Sequence, residues 1–346
     1  MSVDIRDRVE GSLFGAALGD AVGLSTEFLT KAEVPAVLDA AGRVAFPAFP
    51  RNQHSMRWRE GDWTDDTDQM VLIMDALVEA KRCDEGMAAA ACGFATRLLE
   101  WGHHGFPELG DQGGLGIGRT VYTCMTDPEF TRTPHAVAEK VWESMNRNAA
   151  ANGGVMRTAA TGLVDLMGEA GEEAVVQTTR AMCRVTHHDT RCIASCLAIA
   201  IAVRRLARGD APADALQAAI AAGRNAFGPD ADARHVADYE RYASAKTVQE
   251  LQLDEPAAIG YTFKTMGAGL WGLRQLVDAP EKDFKTTIEA VVKEAGDADT
   301  NAAVCGAVLG AHIGLARLPA DWLGSLLHRE WLQKRAATFI DQVVLP

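Results

Sequence analysis

The stretch Gly11-Ser-Leu-Phe-Gly15-Ala-Ala-Leu-Gly19-Asp20-Ala-Val-Gly23 carries a glycine at every fourth position. This spacing predicts a helix with one smooth stripe of glycines along its length. Each glycine costs a helix about 1 kcal/mol relative to alanine, so a whole stripe needs a compensating reason, such as close approach of another helix or of a ligand. A helix extending to Phe28 would place Asp20 and Glu27 on one face, either as functional acids or as two solvated acids on an exposed edge.

Composition bounds the fold class and the possible partners. The chain has 346 residues, of which 48% are hydrophobic, and alternation of β-branched or aromatic residues over five or more positions is hard to find. That pattern predicts a helical globule, while the length fits either two domains or one large core. A net charge of −13 with dispersed Lys and Arg argues against a nucleic-acid-binding surface. No charge-free run of about eighteen apolar residues supports a membrane span.

Cysteine usage and the N-terminal segment indicate a cellular compartment. The seven cysteines form no C-x-x-C pair and lie mostly in alanine-rich helical segments, which is typical of reduced core thiols. Residues 1–10 alternate acidic and basic side chains and lack the layout of a signal peptide, so a cytoplasmic location is expected. With no interaction tail or coiled coil in the sequence, the expected state is a monomer.

Two acidic segments near opposite ends of the chain each precede an apolar helical run. They are Thr64-Asp65-Asp66 and Asp297-Ala298-Asp299-Thr300. Helix capping is the simpler interpretation, since Thr and Asp accept hydrogen bonds from free N–H groups at helix starts. One cap needs one such residue, whereas these segments offer six oxygen side chains, and clustered carboxylates repel one another unless protons or cations neutralise them. Oxygen ligands suit Mg²⁺ or Mn²⁺, so the two segments predict a divalent-cation site. The number of oxygen side chains favours a pair of ions.

Helical spacing predicts the elements around these segments. A long irregular loop is expected over residues 32–62 and peripheral helices over residues 209–253. A nearly charge-free helix from Asn301 to Leu315 should be buried all round and would carry the second acidic segment into the interior, where unpartnered carboxylates are costly. Further helices are predicted at Thr67 to Lys81, Met87 to Trp101, Cys192 to Arg204 and Gly260 to Trp271.

Two glycine-bearing segments and a histidine pair are further candidates. Leu109 to Gly118 holds five glycines in ten residues, and the free N–H groups of such a loop can cradle a phosphate, although flexible connectors have the same composition. Asn148 to Arg157 forms a second glycine-bearing turn before a helix. His187 and His188 precede another helix, where a cap or surface position is the simpler alternative to a functional one.

These motifs follow one another in a recognisable order: G-x-x-x-G-A-A-L-G-D-A-V-G ending in Glu27, W-T-D-D-T-D, the glycine-rich loop, N-G-G-V-M-R, V-T-H-H and G-D-A-D-T-N. In this order the chain resembles the ADP-ribosylglycohydrolase family over about residues 8 to 317. The resemblance implies one domain over residues 1–346, folded as an all-α orthogonal helical bundle. It also implies two Mg²⁺ or Mn²⁺ ions in a central cleft, with ADP-ribose bound beside them.

The same resemblance assigns expected roles to individual residues. Glu27 is expected to be a ligand or general base facing the scissile linkage, and Asp111 lies where some members carry an acid/base aspartate, although the surrounding sequence departs from theirs. Tyr261 is expected near the adenine. The expected metal ligands are Thr64, Asp65, Asp66, Asp297, Asp299 and Thr300, the glycines expected at the diphosphate are Gly113, Gly114, Gly116 and Gly118, and the residues expected at the distal ribose and its pocket are Asn152, Gly153, Gly154, Met156 and His187.

Together these residues predict a Mg²⁺- or Mn²⁺-dependent hydrolase that cleaves the glycosidic bond between ADP-ribose and an acceptor, with an ADP-ribosylated protein side chain as the expected substrate. Cleavage at the anomeric carbon passes through an oxocarbenium-like state, and a carboxylate together with a polarised water can then complete the hydrolysis. Two alternatives stay open: a catalytically silent ADP-ribose-binding homologue and a hydrolase of a small ADP-ribose derivative. The presence of all six candidate ligands together with Glu27 favours an enzyme over the silent binder. No residue distinguishes arginine, serine, nucleic-acid and small-molecule linkages.

Overall fold

The computed structural model describes residues 4–280 and 283–346. Fourteen α-helices and several short 3-10 turns make up this part of the chain, and its only β-type pairings are two isolated bridges. The predicted all-α class is therefore confirmed. The helices are α1 (Ile5–Gly23), α2 (Asp65–Arg82), α3 (Met87–His104), α4 (Arg119–Met125), α5 (Pro134–Ser144), α6 (Gly171–Cys183), α7 (Thr190–Arg208), α8 (Pro212–Arg224), α9 (Ala233–Ala243), α10 (Thr262–Asp278), α11 (Phe284–Val292), α12 (Ala298–Ile313), α13 (Ala320–Ser325) and α14 (Arg329–Phe339).

Helices α1 and α12 lie at the centre of the fold with their backbones in direct contact. A Cβ atom added to Gly19 would lie 2.0 Å from the carbonyl oxygen of Ala302, and one added to Gly15 would lie 2.3 Å from that of Gly306. The contact is reciprocal, because a Cβ atom on Gly306 would lie 2.0 Å from the carbonyl oxygen of Gly15. Only glycine permits such an approach. The glycine stripe thus marks the contact with a second helix.

The remaining helices enclose α12. It is buried at every position from Ala298 to Ala311, because α7, α10 and α11 pack against the sides that α1 leaves free. The predicted all-round burial is confirmed, although the helix begins at Ala298 rather than Asn301 and ends at Ile313, before Gly314 with a φ of 82°. Helices α8 and α9 occupy residues 209–253. No helix in the described ranges is both long and apolar enough to cross a membrane.

The end of α1 differs from the prediction. The helix stops at Gly23, and Leu24 to Phe28 follow as turns. Phe28 adopts a φ of 59°, and its N–H donates to the carbonyl oxygen of Gly296 over 2.6 Å. The N–H of Gly296 in turn donates to the carbonyl oxygen of Leu29 over 3.1 Å. These two backbone bonds hold the segment against the start of α12. The prediction that Glu27 lies on a helix face with Asp20 was therefore wrong, and a turn positions Glu27.

The segment between α1 and α2 is irregular, as predicted for residues 32–62. It contains two three-residue 3-10 turns, Val34–Ala36 and Ser55–Arg57. Phe49 and Trp58 from this segment form a small buried apolar cluster with Leu24. The segment is thereby attached to the end of α1, close to Glu27.

Replacing Gly19 by alanine should lower the free energy of unfolding by about 3 kcal/mol, because the new methyl group would collide with backbone atoms of α12 that cannot rotate away. Gly324→Ala is the matched control, since Gly324 also lies in a helix and an added Cβ there has nothing within 4 Å. That control should leave stability unchanged or raise it by up to about 1 kcal/mol. Urea unfolding measures both variants, and equal stabilities would contradict the backbone contact.

Candidate functional site

The two acidic segments meet where α2 and α12 begin. Thr64 Oγ1 lies 3.3 Å from both Asp66 Oδ2 and Asp299 Oδ2. Thr300 Oγ1 lies 3.4 Å from Asp66 Oδ2 and 3.2 Å from Asp297 Oδ1. Oxygen atoms from the two segments therefore share one small volume at the N-terminal ends of two helices.

A buried aspartate of α1 holds the start of α2 in this position. Asp20 is fully buried, and its Oδ1 accepts from the backbone N–H of Thr64 over 2.9 Å. Its Oδ2 accepts from the backbone N–H of Thr67 over 3.0 Å and from the Thr67 hydroxyl over 2.6 Å. Burial raises the pKa of Asp20 to about 7. Helix α1 therefore positions both acidic segments. It holds the first through Asp20 and the second through its direct backbone contact with α12.

Glu27 joins the acids from the two segments. One carboxylate oxygen from each of Glu27, Asp297 and Asp299 lies within 4.8 Å of the others. Asn152 Nδ2 donates to Asp297 Oδ2 over 2.7 Å, and His54 Nε2 lies 2.6 Å from Glu27 Oε2. The turn that replaces the end of α1 thus brings Glu27 to the cluster.

Burial dominates the electrostatics of this cluster. It raises the pKa of Asp65, Asp66 and Asp299 well above the ordinary aspartate range, and the charges of neighbouring carboxylates act in the same direction. Burial also raises the pKa of Glu27 and of Asp297. Asp66 Oδ1 and Asp299 Oδ1 are buried without a hydrogen-bond partner in the described part of the chain. Buried oxygen atoms that lack partners and repel one another are suitable ligands for a divalent cation. The side chains present at this site therefore fit such an ion.

The cluster opens into a cavity of about 240 Å³, which we call the acidic cleft. Its lining contains most of the residues that the sequence analysis singled out, together with several that it did not. The predicted residues on the lining are Glu27, Asp65, Asp66, Gly116, Gly118, Asn152, Gly153, Met156, His187, Asp297, Asp299 and Thr300, and the others are Phe28, Arg119, Thr120, Val121 and Ala151. Thr64 lies behind the lining, in contact with Asp66 and Asp299.

The glycine-rich loop approaches the acids at Gly116. This residue has a φ of 88°, and a Cβ atom there would lie 2.1 Å from Asp65 Oδ1. Both the backbone conformation and the space available therefore require glycine. The loop backbone lies directly against one of the candidate ligands.

Three other predicted residues of this loop lie off the acidic cleft, unlike Gly116 and Gly118. Gly113, Gly114 and Asp111 line a separate cavity of about 400 Å³, not the acidic cleft. Asp111 Oδ2 accepts from the backbone N–H of Phe106 over 3.0 Å, so its carboxylate stabilises a local turn.

That second cavity is larger, but Asp68, a half-buried acid on its lining, already has partners. Asp68 Oδ1 accepts from Trp63 Nε1 over 2.7 Å, and its Oδ2 accepts from Trp101 Nε1 over 3.0 Å. In the acidic cleft, by contrast, Asp66 and Asp299 each keep an oxygen that has no hydrogen-bond partner among the described residues. Unsatisfied oxygen atoms rather than volume identify the acidic cleft as the candidate functional site.

Gly154 and Tyr261 also lie off the acidic cleft. A Cβ atom on Gly154 would lie 3.2 Å from Cys183 Sγ and 3.4 Å from Cys196 Sγ, so this glycine packs against the core beneath the cleft. The hydroxyl of Tyr261 donates to Asp238 Oδ2 over 3.0 Å. The backbone of Tyr261 pairs with Ala151, which does line the cleft. Both residues support the wall from behind.

Several functional contacts were not predicted from the sequence. His54 comes from the irregular segment, where no periodicity marks it, and Arg157 was noted only as the last letter of a turn motif. His187 was predicted, and the structure places it in the wall with Nδ1 2.8 Å from Thr186 Oγ1. Burial lowers the pKa of His187 to about 3, so the ring is neutral. Only the structure could connect these distant positions.

Comparison with known proteins gives this geometry a family context. A family model described as ADP-ribosylglycohydrolase matches residues 1–345. The chain is 25% identical over 340 residues to the ADP-ribosylarginine hydrolase Tri1 of Pseudomonas putida, covering 97% of this chain and 78% of that protein. It is 24% identical over 322 residues to the ADP-ribosyl-[dinitrogen reductase] glycohydrolase of Rhodospirillum rubrum, covering 93% and 91%.

A solved structure extends the comparison to the fold. A chain described as an ADP-ribosylglycohydrolase-related protein complex superposes with a TM-score of 0.65 at 23% identity, and the match covers 98% of both chains. This likeness agrees with the all-α architecture built around α1 and α12. Since the family model spans nearly the whole sequence, the chain belongs to the ADP-ribosylglycohydrolase family.

Proposed function

We propose that this protein is a divalent-cation-dependent hydrolase that cleaves the glycosidic bond between ADP-ribose and an acceptor, with an ADP-ribosylated protein side chain as its substrate. The observation that carries the proposal is the buried group of Glu27, Asp297 and Asp299 at the floor of the acidic cleft. Family membership and relatives that are named for hydrolysis of ADP-ribosyl linkages support the same activity.

Six side chains would hold the cation pair, which we propose to be two Mg²⁺ or Mn²⁺ ions. They are Thr64, Asp65, Asp66, Asp297, Asp299 and Thr300. When bound, such ions orient sugar hydroxyls and lower the pKa of a bound water. Within the described residues, Asp66 Oδ1 and Asp299 Oδ1 are buried without a hydrogen-bond partner, and a cation would satisfy them, which supports this assignment.

Glu27 is the proposed general base. Its side chain lies beside Asp297 and Asp299 on the cleft lining, and burial raises its pKa, which favours uptake of a proton by the carboxylate. The short contact with His54 holds the carboxylate in place. Glu27 would take the proton of the attacking water while the anomeric carbon develops oxocarbenium character.

ADP-ribose would occupy the rest of the acidic cleft. We propose that Gly116 and Gly118 contact the diphosphate and that Asn152, Gly153, Met156 and His187 surround the distal ribose, since all six residues line the cavity next to the acids. Gly113, Gly114, Gly154 and Tyr261 would support these residues from outside the cleft. Asp111 has no part in the proposal, because its carboxylate is bound to a turn beside another cavity.

A panel of defined substrates tests this function. The panel holds arginine-linked and serine-linked ADP-ribosyl peptides, ADP-ribosylated nucleic acid and a small O-linked ADP-ribose ester, each assayed with Mg²⁺, with Mn²⁺ and with EDTA. Release of ADP-ribose from a protein linkage, abolished by EDTA, supports the proposal. Binding of ADP-ribose without release from any substrate would identify a silent binding homologue, and turnover of the small ester alone would identify a metabolite hydrolase.

Glu27→Gln should lower kcat by about 100-fold or more, because the amide cannot accept the proton of water. Affinity for ADP-ribose should stay within about 3-fold, since Gln has the same shape and still reaches His54. Glu33→Gln, which changes a nearby exposed glutamate bonded to Thr30, is the matched control and should retain full activity. Near-normal turnover of Glu27→Gln would refute the assigned role.

Asp299→Asn should weaken Mn²⁺ binding by at least about 10-fold, because a neutral amide replaces a candidate ligand. Isothermal titration with Mn²⁺ alone measures this effect without reference to turnover. Asp111→Asn is the matched control, as Asp111 lies in the second cavity, and its Mn²⁺ affinity should equal that of the wild type. Equal affinities for all three proteins would contradict the proposed ligand set.

Stability without cations should fall as the pH rises from about 5 to 8. The cleft carboxylates and Asp20 have pKa values raised above those of the unfolded chain, so the folded state binds more protons in this range and loses that advantage at higher pH. Mg²⁺ or Mn²⁺ must displace those protons, so the gain in Tm on adding cation should be larger at pH 8 than at pH 5. Thermal unfolding in EDTA and in Mg²⁺ measures both, and a pH-independent gain would contradict the prediction.

A further inference from the structure

Behind the acidic cleft, a buried arginine connects one wall to the other. Arg157 is fully buried, and its Nη1 donates to Gln69 Oε1 over 2.6 Å. Its Nη2 donates to Thr186 Oγ1 over 2.6 Å. The guanidinium carbon lies 4.8 Å from the centroid of the Phe94 ring, which covers one face of the group. Both ends of the guanidinium are therefore fixed.

A guanidinium group can only donate hydrogen bonds, so it sets the direction of the bonds beyond it. Gln69 uses its oxygen toward Arg157, which leaves its amide nitrogen to donate to Asp65 Oδ2 over 2.7 Å. This arm ends on a candidate cation ligand. Arg157 can only donate and an ionised Asp65 can only accept, so both bonds agree on which end of the Gln69 amide is oxygen and which is nitrogen.

The second arm runs through Thr186 to His187. Thr186 Oγ1 accepts from Arg157 and lies 2.8 Å from His187 Nδ1. Within residues 4–280 and 283–346, that ring nitrogen is the only other hydrogen-bond partner of the hydroxyl. A buried O–H without an acceptor would lose its bonds to water with no replacement. The hydroxyl hydrogen therefore goes to Nδ1, which acts as the acceptor.

With Nδ1 as an acceptor, the proton of the neutral ring resides on Nε2. The Nε2 edge of the ring faces Gly153, because a Cβ atom on that residue would lie 3.2 Å from Nε2 and 3.0 Å from Cε1. Both residues line the acidic cleft. The absence of a side chain at Gly153 thus leaves the Nε2–H group uncovered. Burial and the positive charge of Arg157 both lower the pKa of His187, so the ring stays neutral near physiological pH.

We infer that Arg157 is a positioning residue that fixes His187 as a neutral Nε2–H donor, aimed at an acceptor oxygen of the molecule bound in the acidic cleft. The acceptor is a phosphate oxygen or a sugar hydroxyl, and its assignment to ADP-ribose rests on the proposed function. His187 then contributes binding and orientation and transfers no proton. Arg157 itself lies outside the cleft lining and reaches His187 through Thr186.

The tautomer can be measured directly by ¹⁵N NMR of the imidazole rings, with the His187 signals assigned by their loss in His187→Gln. The wild type should show a pyridine-like Nδ1 and a pyrrole-like Nε2. Thr186→Val removes the donor to Nδ1 with little change of shape and should abolish this pattern, while Thr186→Ser should restore it. Thr179→Val is the matched control, because Thr179 is equally buried and its hydroxyl, within the part of the chain that the structure describes, bonds only to the hydroxyl of Thr161. A protonated Nδ1 in the wild type would overturn the inference.

Binding provides the second readout. Thr186→Val should weaken ADP-ribose binding by about 10-fold, and Thr186→Ser should stay within about 2-fold of the wild type. A matching loss for ADP would assign the acceptor oxygen to the diphosphate, and a loss confined to ADP-ribose would assign it to the distal ribose. Unchanged affinity for both ligands in Thr186→Val would overturn the inference. If no substrate released ADP-ribose, the proposed function would fail while the NMR result stood unaffected.

Discussion

The direct backbone contact between α1 and α12 is the constraint on which the rest of this structure depends. Gly15, Gly19 and Gly306 leave no room for a Cβ atom at three points of this contact, so the two helices approach more closely than ordinary packing allows. The close approach brings Asp20 on α1 near the first turn of α12, and Asp20 in turn caps α2. Two acidic segments from opposite ends of the chain are positioned by this one contact.

The cost of this arrangement is a group of like charges in a poorly hydrated interior. Burial raises the pKa of Asp65, Asp66 and Asp299, and two of these carboxylates keep oxygen atoms that no group among residues 4–280 and 283–346 satisfies. A fold that served stability alone would replace such acids with apolar side chains. Their retention at the floor of a cleft is typical of functional sites, where unfavourable local electrostatics are held in place by the surrounding packing.

Local sequence patterns predicted much of the fold and part of the site. The starts of α2 and α12 could be predicted because Thr and Asp precede apolar runs with helical spacing, and the glycine stripe indicated a close contact without naming its partner. Glu27 was assigned to a helix because spacing cannot reveal the backbone bonds between Phe28 and Gly296 that end α1. The place of Gly154 and Tyr261 in a motif predicts that they line the cleft, but the direction in which a residue faces depends on the turn that carries it. The contacts of His54 and Arg157 join residues far apart in the chain and leave no local signal.

The concentration of acids in the cleft also constrains the sequence of events during a catalytic cycle. A diphosphate that enters while Asp65, Asp66 and Asp299 are ionised meets repulsion at short range, in a region where water screens charge poorly. Under the proposed function, positive counter-charge therefore has to arrive ahead of the nucleotide. Association would then be ordered, and the cation-loaded protein would be the species that captures its substrate.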